Sequence, residues 1–184
     1  EDAKFDDPMG EATGAAAIFG VTGGVMEAAL RSVSEIVSGK PLDKITFEQV
    51  RGENGIKRAE IEIADKKVKV VVAHGLANAQ IIMEEIKSGK SDYQFVEIMA
   101  CPGGCITGGG QPIKSAKIQE EVDVHKKRAE AMYSIDEKSV IRKSHRNPVL
   151  KQIYKDFLGE PNGELAHKLL HTHYSKKDKY RFVK

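Results

Sequence analysis

The 184 residues include 29 lysines and arginines against 27 aspartates and glutamates, and are 40% hydrophobic and 30% charged, the balance of an ordinary globular chain long enough to build its own core. No apolar run approaches the roughly 18 residues that cross a bilayer, and no nucleic-acid module is recognisable, so neither a membrane nor a nucleic acid is an expected partner. Charge is uneven: residues 1–113 hold 12 basic and 17 acidic side chains and residues 114–184 hold 17 and 10, making the C-terminal part either a solvated basic terminus or a docking surface for an acidic electron carrier.

The chain opens on Glu1 with no signal peptide, and an upstream segment is expected to precede it. Residues 1–20 read as an irregular lead-in. From Gly23 the period becomes helical, with Met26, Ala29, Leu30, Val33, Ile36 and Val37 on one stripe and Gly39-Lys40-Pro41 as the stop. Glu27 and Arg31 form an i, i+4 pair that supports this helix. Ala59, Ile61 and Ile63 alternate with charged residues, Asp65-Lys66-Lys67 reads as a turn, and Val68 to Ala73 runs back as a second strand. A helix over 77–88, carrying Ile81, Ile82 and Ile86, leads to a strand from Phe95 to Ala100. Strand, helix, strand implies a crossover and a parallel pair, with functional groups beyond the strand's C-terminal end. Downstream the pattern predicts one charged amphipathic helix over 115–133, carrying Ile118, Val122, Ala129 and Met132. A polar connection over 134–146 follows, then Asn147-Pro148 starting a helix that Gly159 ends, and a last helix capped by Asn162. The expected fold is α/β: a partly parallel mixed sheet flanked by helices, with a helical C-terminal segment, divided into 1–146 and 147–184.

Chemistry concentrates in FVEIMACPGGCITGGGQP, residues 95–112, which holds both cysteines and five of the seventeen glycines. Cys101 and Cys105 place two soft ligands at the end of an apolar strand. A disulfide there would close almost no chain, so ligation is the better reading. Gly103, Gly104, Gly108, Gly109 and Gly110 strip side chains where the backbone approaches something bulky. Elsewhere, Gly23-Gly24 entering a helix could be a weak anion loop, but no P-loop lysine follows. His167 and His171 have i, i+4 spacing, yet Lys168 stands where a zinc protease has its glutamate, and with His173 they read as packing or surface residues.

Glu97-x-Met99-Ala100-Cys101-x-x-Gly104-Cys105-x-x-Gly108-Gly109-Gly110-Gln111-Pro112 resembles the last of the three cysteine motifs of the iron-only hydrogenases. Phe19-Gly20-Val21-Thr22-Gly23-Gly24-Val25-Met26-Glu27-Ala28-Ala29-Leu30-Arg31 is similar to that family's glycine turn and helix. Phe157-Leu158-Gly159-x-Pro161 and Ala166-His167-x-Leu169-Leu170-His171 are similar to its C-terminal segment. Two upstream cysteine motifs, of the types TSCCPxW and PCxxK, are absent, so the chain reads as the C-terminal part of a catalytic domain.

The resemblance implies an iron-sulfur oxidoreductase that interconverts protons and electrons with molecular hydrogen. Its cofactors would be a 4Fe-4S cubane held by four cysteines and a two-iron subcluster carrying carbon monoxide, cyanide and a dithiolate bridge. Cys101 would be a cubane ligand, and Cys105 a cubane ligand that also bridges to the two-iron unit. Met99, Phe19, Gly20, Val25 and Gly108 would line the two-iron pocket. The implied partners are the missing N-terminal part of the domain and an electron carrier such as ferredoxin. The expected location is cytoplasmic, with a periplasmic one left open. The alternative is a hydrogenase-like, non-catalytic iron-sulfur protein without the two-iron unit, acting in cluster assembly or hydrogen sensing.

Overall fold

The computed structural model describes residue 3 and residues 10–42, 46–52 and 54–176. Most of the first nine residues of the lead-in and the end of the basic tail, 177–184, lie outside the described residues. The chain divides into two compact units, Glu1–Asn147 and Pro148–Lys184.

The first unit is organised around a three-stranded mixed sheet in the order β1-β2-β3, where β1 is Ile56–Ile63, β2 is Lys66–His74 and β3 is Phe95–Met99. β1 and β2 are antiparallel, with Ile56 opposite Ala73 and Ile63 opposite Lys66. The turn between them is Ala64-Asp65 rather than 65–67. Both residues have positive φ, 46° and 63°, the two-residue geometry whose twist matches a hairpin. β3 lies parallel to β2, from Val70 opposite Phe95 to His74 opposite Met99, and the helix α3 (Leu76–Lys87) makes the crossover. β2 is the central strand, which is why Val70 to Ala73 are all fully buried instead of alternating. Val70 and Val72 face a core with Ile61, Ile63, Val50, Met26 and Leu30. Val71 and Ala73 face the other way, onto Ile82 of α3.

Helix α2 spans Gly24–Ser38, but its buried face differs from the apolar stripe. Val33, Ile36 and Val37 are 45%, 66% and 56% exposed, while Glu27 and Arg31 are fully buried with Ser34 and Glu35 close behind. The charged face turns inward because guanidinium and carboxylate partners meet it there. Two other expectations are corrected. A short helix α1 (Gly14–Ile18) interrupts the lead-in, with the Thr13 hydroxyl accepting from the Ala16 amide at 3.3 Å. The single helix over 115–133 is two, α4 (Ala116–Glu121) and α5 (Val124–Lys138). Asp123 caps α5 by accepting from the Lys126 amide at 2.9 Å, and a cap of this kind starts a new helix rather than continuing the old one. α5 therefore runs into the stretch expected to be a polar connection, and carries the fully buried Asp136 with it.

The second unit is helical. α6 (Pro148–Ile153) starts on its proline and widens into a π turn at Tyr154–Leu158, ended by Gly159 at φ 78°. α7 (Glu164–Leu170) follows. Gly163 caps α7, not Asn162, whose own φ is 64°. The rings of His167 and His171 lie 4.2 Å apart, and among the described residues no group of three His, Cys, Asp or Glu could hold a metal ion. No helix among the described residues is long and apolar enough to cross a membrane.

Candidate functional site

β3 delivers the chain to the C-terminal edge of the parallel pair, where the Gly75 amide donates to the Met99 carbonyl at 2.8 Å. The loop that follows is tightly wound. The Gly104 amide donates to the Cys101 carbonyl and the Gly108 amide to the Cys105 carbonyl, both at 3.0 Å, and the Thr107 hydroxyl closes on the Pro102 and Gly104 carbonyls. Cys101 is half-buried and Cys105 exposed, both as free thiols.

This loop docks on the turn between α1 and α2. The Thr22 amide donates to the Gly103 carbonyl at 3.0 Å and the Ile106 amide to the Gly20 carbonyl at 3.1 Å. The approach demands glycine at 104, where φ is 101°. A Cβ there would lie 2.7 Å from the Gly20 oxygen, 2.8 Å from the Thr22 nitrogen and 3.1 Å from the Met99 sulfur. Gly20, Met99 and the loop between the cysteines are thus one packed unit. A Cβ on Gly108 would come within 3.9 Å of the Cys101 sulfur, whereas Gly109 and Gly110 face open space. Phe19, 42% exposed, immediately precedes Gly20, and Val25 is half-buried in the first turn of α2.

Two buried side chains fix the glycine turn, and sequence reasoning assigned neither a role. Glu97, 7% exposed, accepts from the Gly23 amide at 2.6 Å and the Met26 amide at 2.7 Å. Lys57, also 7% exposed, donates to the Thr22 carbonyl at 3.1 Å and the Gly52 carbonyl at 2.8 Å. Burial pushes the Lys57 ammonium down to about 8, against the attraction of Glu97. The anion-loop alternative for Gly23-Gly24 loses its basis here, because this helix start already holds a carboxylate of its own chain. Packing explains the glycine pair: a Cβ on Gly23 would sit 1.9 Å from the Val50 carbonyl oxygen, and one on Gly24 1.7 Å from that of Ile18.

Behind the turn, α2 is clamped by a buried charge cluster. Arg31 donates to both oxygens of Asp136 and to Glu27, each at 2.7 Å, and to the Arg142 carbonyl at 2.9 Å. Arg51 donates to Glu27 at 2.7 and 2.9 Å while its guanidinium lies 3.9 Å over the Tyr133 ring. Arg142 donates to Asp136 at 2.6 Å. Burial alone would raise the Asp136 carboxyl; hydrogen bonds from Arg31 and Arg142 outweigh it and hold the group below the usual carboxylate range. Burial also pushes the Tyr133 phenol up to about 12. Glu35, near the other end of α2, is held down at about 2 by hydrogen bonds from Lys143 and Arg146.

Residues 1–109 match the family model described as iron only hydrogenase large subunit, C-terminal domain, and residues 122–177 match that of iron hydrogenase small subunit. The chain belongs to the iron-only hydrogenase family. It is 47% identical over 178 residues to an NADP-reducing hydrogenase subunit of Solidesulfovibrio fructosivorans, covering 97% of this chain and 30% of that relative. It is 33% identical over 147 residues to a probable cytosolic Fe-S cluster assembly factor of Drosophila persimilis, covering 78% of this chain and 29% of the relative. A solved FeFe-hydrogenase variant from Chlamydomonas reinhardtii shares the fold with a TM-score of 0.67 and 39% identity, over 95% of this chain and 49% of that one. The chain thus spans under a third of these curated relatives and about half of the solved hydrogenase chain. Within that span, the mixed α/β fold is the hydrogenase fold.

The cysteine loop fits part of the family's cluster chemistry. Two free thiols stand at one strand end, one of them exposed, and the glycines beyond them leave the adjoining face open. Two thiolates are half of the four that a cubane of this kind takes.

Proposed function

We propose that this chain is the C-terminal part of an iron-only hydrogenase. In that reading it supplies two of the four cysteine ligands of a 4Fe-4S cubane and one wall of a neighbouring two-iron site. The observation that carries it is the exposed Cys105 beside Cys101, on a glycine-bare loop docked against Gly20 and Met99.

Cys101 and Cys105 would hold the cubane, with Cys105 linking it to the two-iron unit. When bound, that assembly supplies the redox chemistry by which two protons and two electrons become one hydrogen molecule. The chain's own residues do the rest. Met99 offers a soft, apolar sulfur toward the loop. Phe19 and Val25 keep water from one side of the pocket, and Gly108 and its neighbours leave room that side chains would fill. An apolar, water-poor surround tunes a metal site as directly as its ligands do. The remaining cysteines and the electron carrier, for which a ferredoxin is suited, lie outside these residues. The similarity to a cluster assembly factor supports a second reading, a non-catalytic protein with the cubane but no two-iron unit.

Infrared spectroscopy of the complete, iron-loaded protein separates the two. Bands of iron-bound carbonyl and cyanide, with hydrogen evolved from a reduced dye, are expected. Both should vanish in Cys105→Ser, which removes a cubane ligand and the link to the two-iron unit together. A cubane without those bands in the wild type would establish the non-catalytic reading, and wild-type activity in the variant would remove Cys105 from the site.

A further inference from the structure

We propose that Glu97 is a positioning residue: by holding the Gly23 and Met26 amides, its carboxylate locks the Gly20–Gly24 turn against the cysteine loop and so fixes where Cys101 and Cys105 present their sulfurs. That these sulfurs meet iron rests on the function proposed above; that Glu97 places them does not.

Glu97 closes a ring of contacts. Glu97 is the one side chain of β3 that is buried, and it stands two residues before Met99, the last residue of that strand, and four before Cys101, which follows the strand's end. Its two oxygens reach 74 and 71 residues back to the start of α2, at 2.6 and 2.7 Å. The turn just ahead of that helix is bonded to the cysteine loop, through Thr22 to Gly103 and Ile106 to Gly20, and that loop returns to β3. Strand, loop, turn and carboxylate therefore form a closed circuit, in which Glu97 is the side chain that joins β3 to the start of α2.

The chemistry of the link is specific. A carboxylate presents two acceptors to two N–H donors and sits at the positive end of a 15-residue helix. Lys57 grips the same turn from β1 through the Thr22 carbonyl, and its buried ammonium has Glu97 as a nearby opposite charge. A carboxamide of the same shape keeps one acceptor and turns an NH2 toward the other amide. An aspartate keeps the charge but falls one methylene short of spanning both donors.

The test uses the complete protein with Glu97→Gln and Glu97→Asp, each followed by thermal melting. In iron-free protein, labelling of Cys101 and Cys105 by a thiol reagent is read by peptide mass. In loaded protein, the infrared carbonyl and cyanide pattern and the cubane reduction potential are read. Labelling of the half-buried Cys101 should rise at least threefold in both variants. The infrared bands and the potential should shift in both while iron content stays near wild type. Should Glu97→Gln fail to fold, Glu97→Asp carries the same readouts. A folded variant with wild-type labelling, bands and potential overturns the proposal. Absence of carbonyl and cyanide bands from the wild type would instead sink the hydrogenase reading, and the thiol labelling would still decide the role of Glu97.

Discussion

Replacing Asp136 by asparagine keeps the side chain's volume and removes one charge from a site with no access to water. Asp136 is fully buried and accepts three charge-assisted hydrogen bonds, two from Arg31 at 2.7 Å and one from Arg142 at 2.6 Å. The cluster sets the carboxylates Glu27 and Asp136 against the guanidiniums of Arg31, Arg51 and Arg142; the substitution leaves one anion facing three cations. Removing one partner of a buried ion pair costs about 3–5 kcal/mol, because the remaining charge stays desolvated. Against a typical domain stability of about 5–15 kcal/mol, that is a large share. Urea unfolding of the 184-residue chain, followed by circular dichroism, should show a markedly lower midpoint with an unchanged slope. Asp92→Asn provides the control, since its ion pair with Lys69 has the same 2.7 Å length but side chains 68% and 45% exposed. Exposed pairs are screened, so that midpoint should hardly move. If the two substitutions shifted the midpoint equally, burial would not be what gives the cluster its strength.

Lys57 gives a pH signature. Its ammonium is pushed from 10.5 to about 8 by burial, so between those values the unfolded chain holds the extra proton and stability should rise with pH. The wild type should gain about 3 kcal/mol on Lys57→Met between pH 8 and 10.5; a pH-independent difference in urea unfolding would mean that Lys57 is not desolvated. Met99→Leu, close in volume and equally apolar, should cost under about 1.5 kcal/mol yet alter the two-iron infrared bands of the complete protein, and identical bands would make Met99 plain packing. Anaerobic iron-sulfide reconstitution of this chain alone should give no stable four-iron cluster, because it brings two of four thiolates. A full cubane with hydrogen turnover would refute that ligand count.

What the sequence made legible is what local periodicity and chemistry encode. The hairpin, the crossover and the placement of Cys101 just beyond a strand follow from alternating residues, a helical stretch between strands and a cysteine after an apolar run. The stripe on α2 misled because Val33, Ile36 and Val37 fit a helical period as well as Met26 and Leu30 do. A face built from Glu27 and Arg31 reads as solvated unless its partner is visible, and Asp136 lies 105 residues from Arg31. Periodicity carries no information about a pairing of that length.

Glu97 differs, because two local anomalies pointed at it. A carboxylate between Phe95 and Met99 on the same strand face shares that face with two apolar side chains, which for a charge is costly without partners. Helix α2, meanwhile, has glycine at its capping position, and Gly23 makes no side-chain cap bond. One segment had unused acceptors and the other unused donors. The close packing at Gly23 and Gly24 against the Val50 and Ile18 carbonyls leaves no space for a local capping side chain, so the cap has to come from elsewhere in the chain. Supplying it from the strand that ends at the cysteines ties the start of α2 to the position of the thiols, a coupling that a serine at position 23 could not provide.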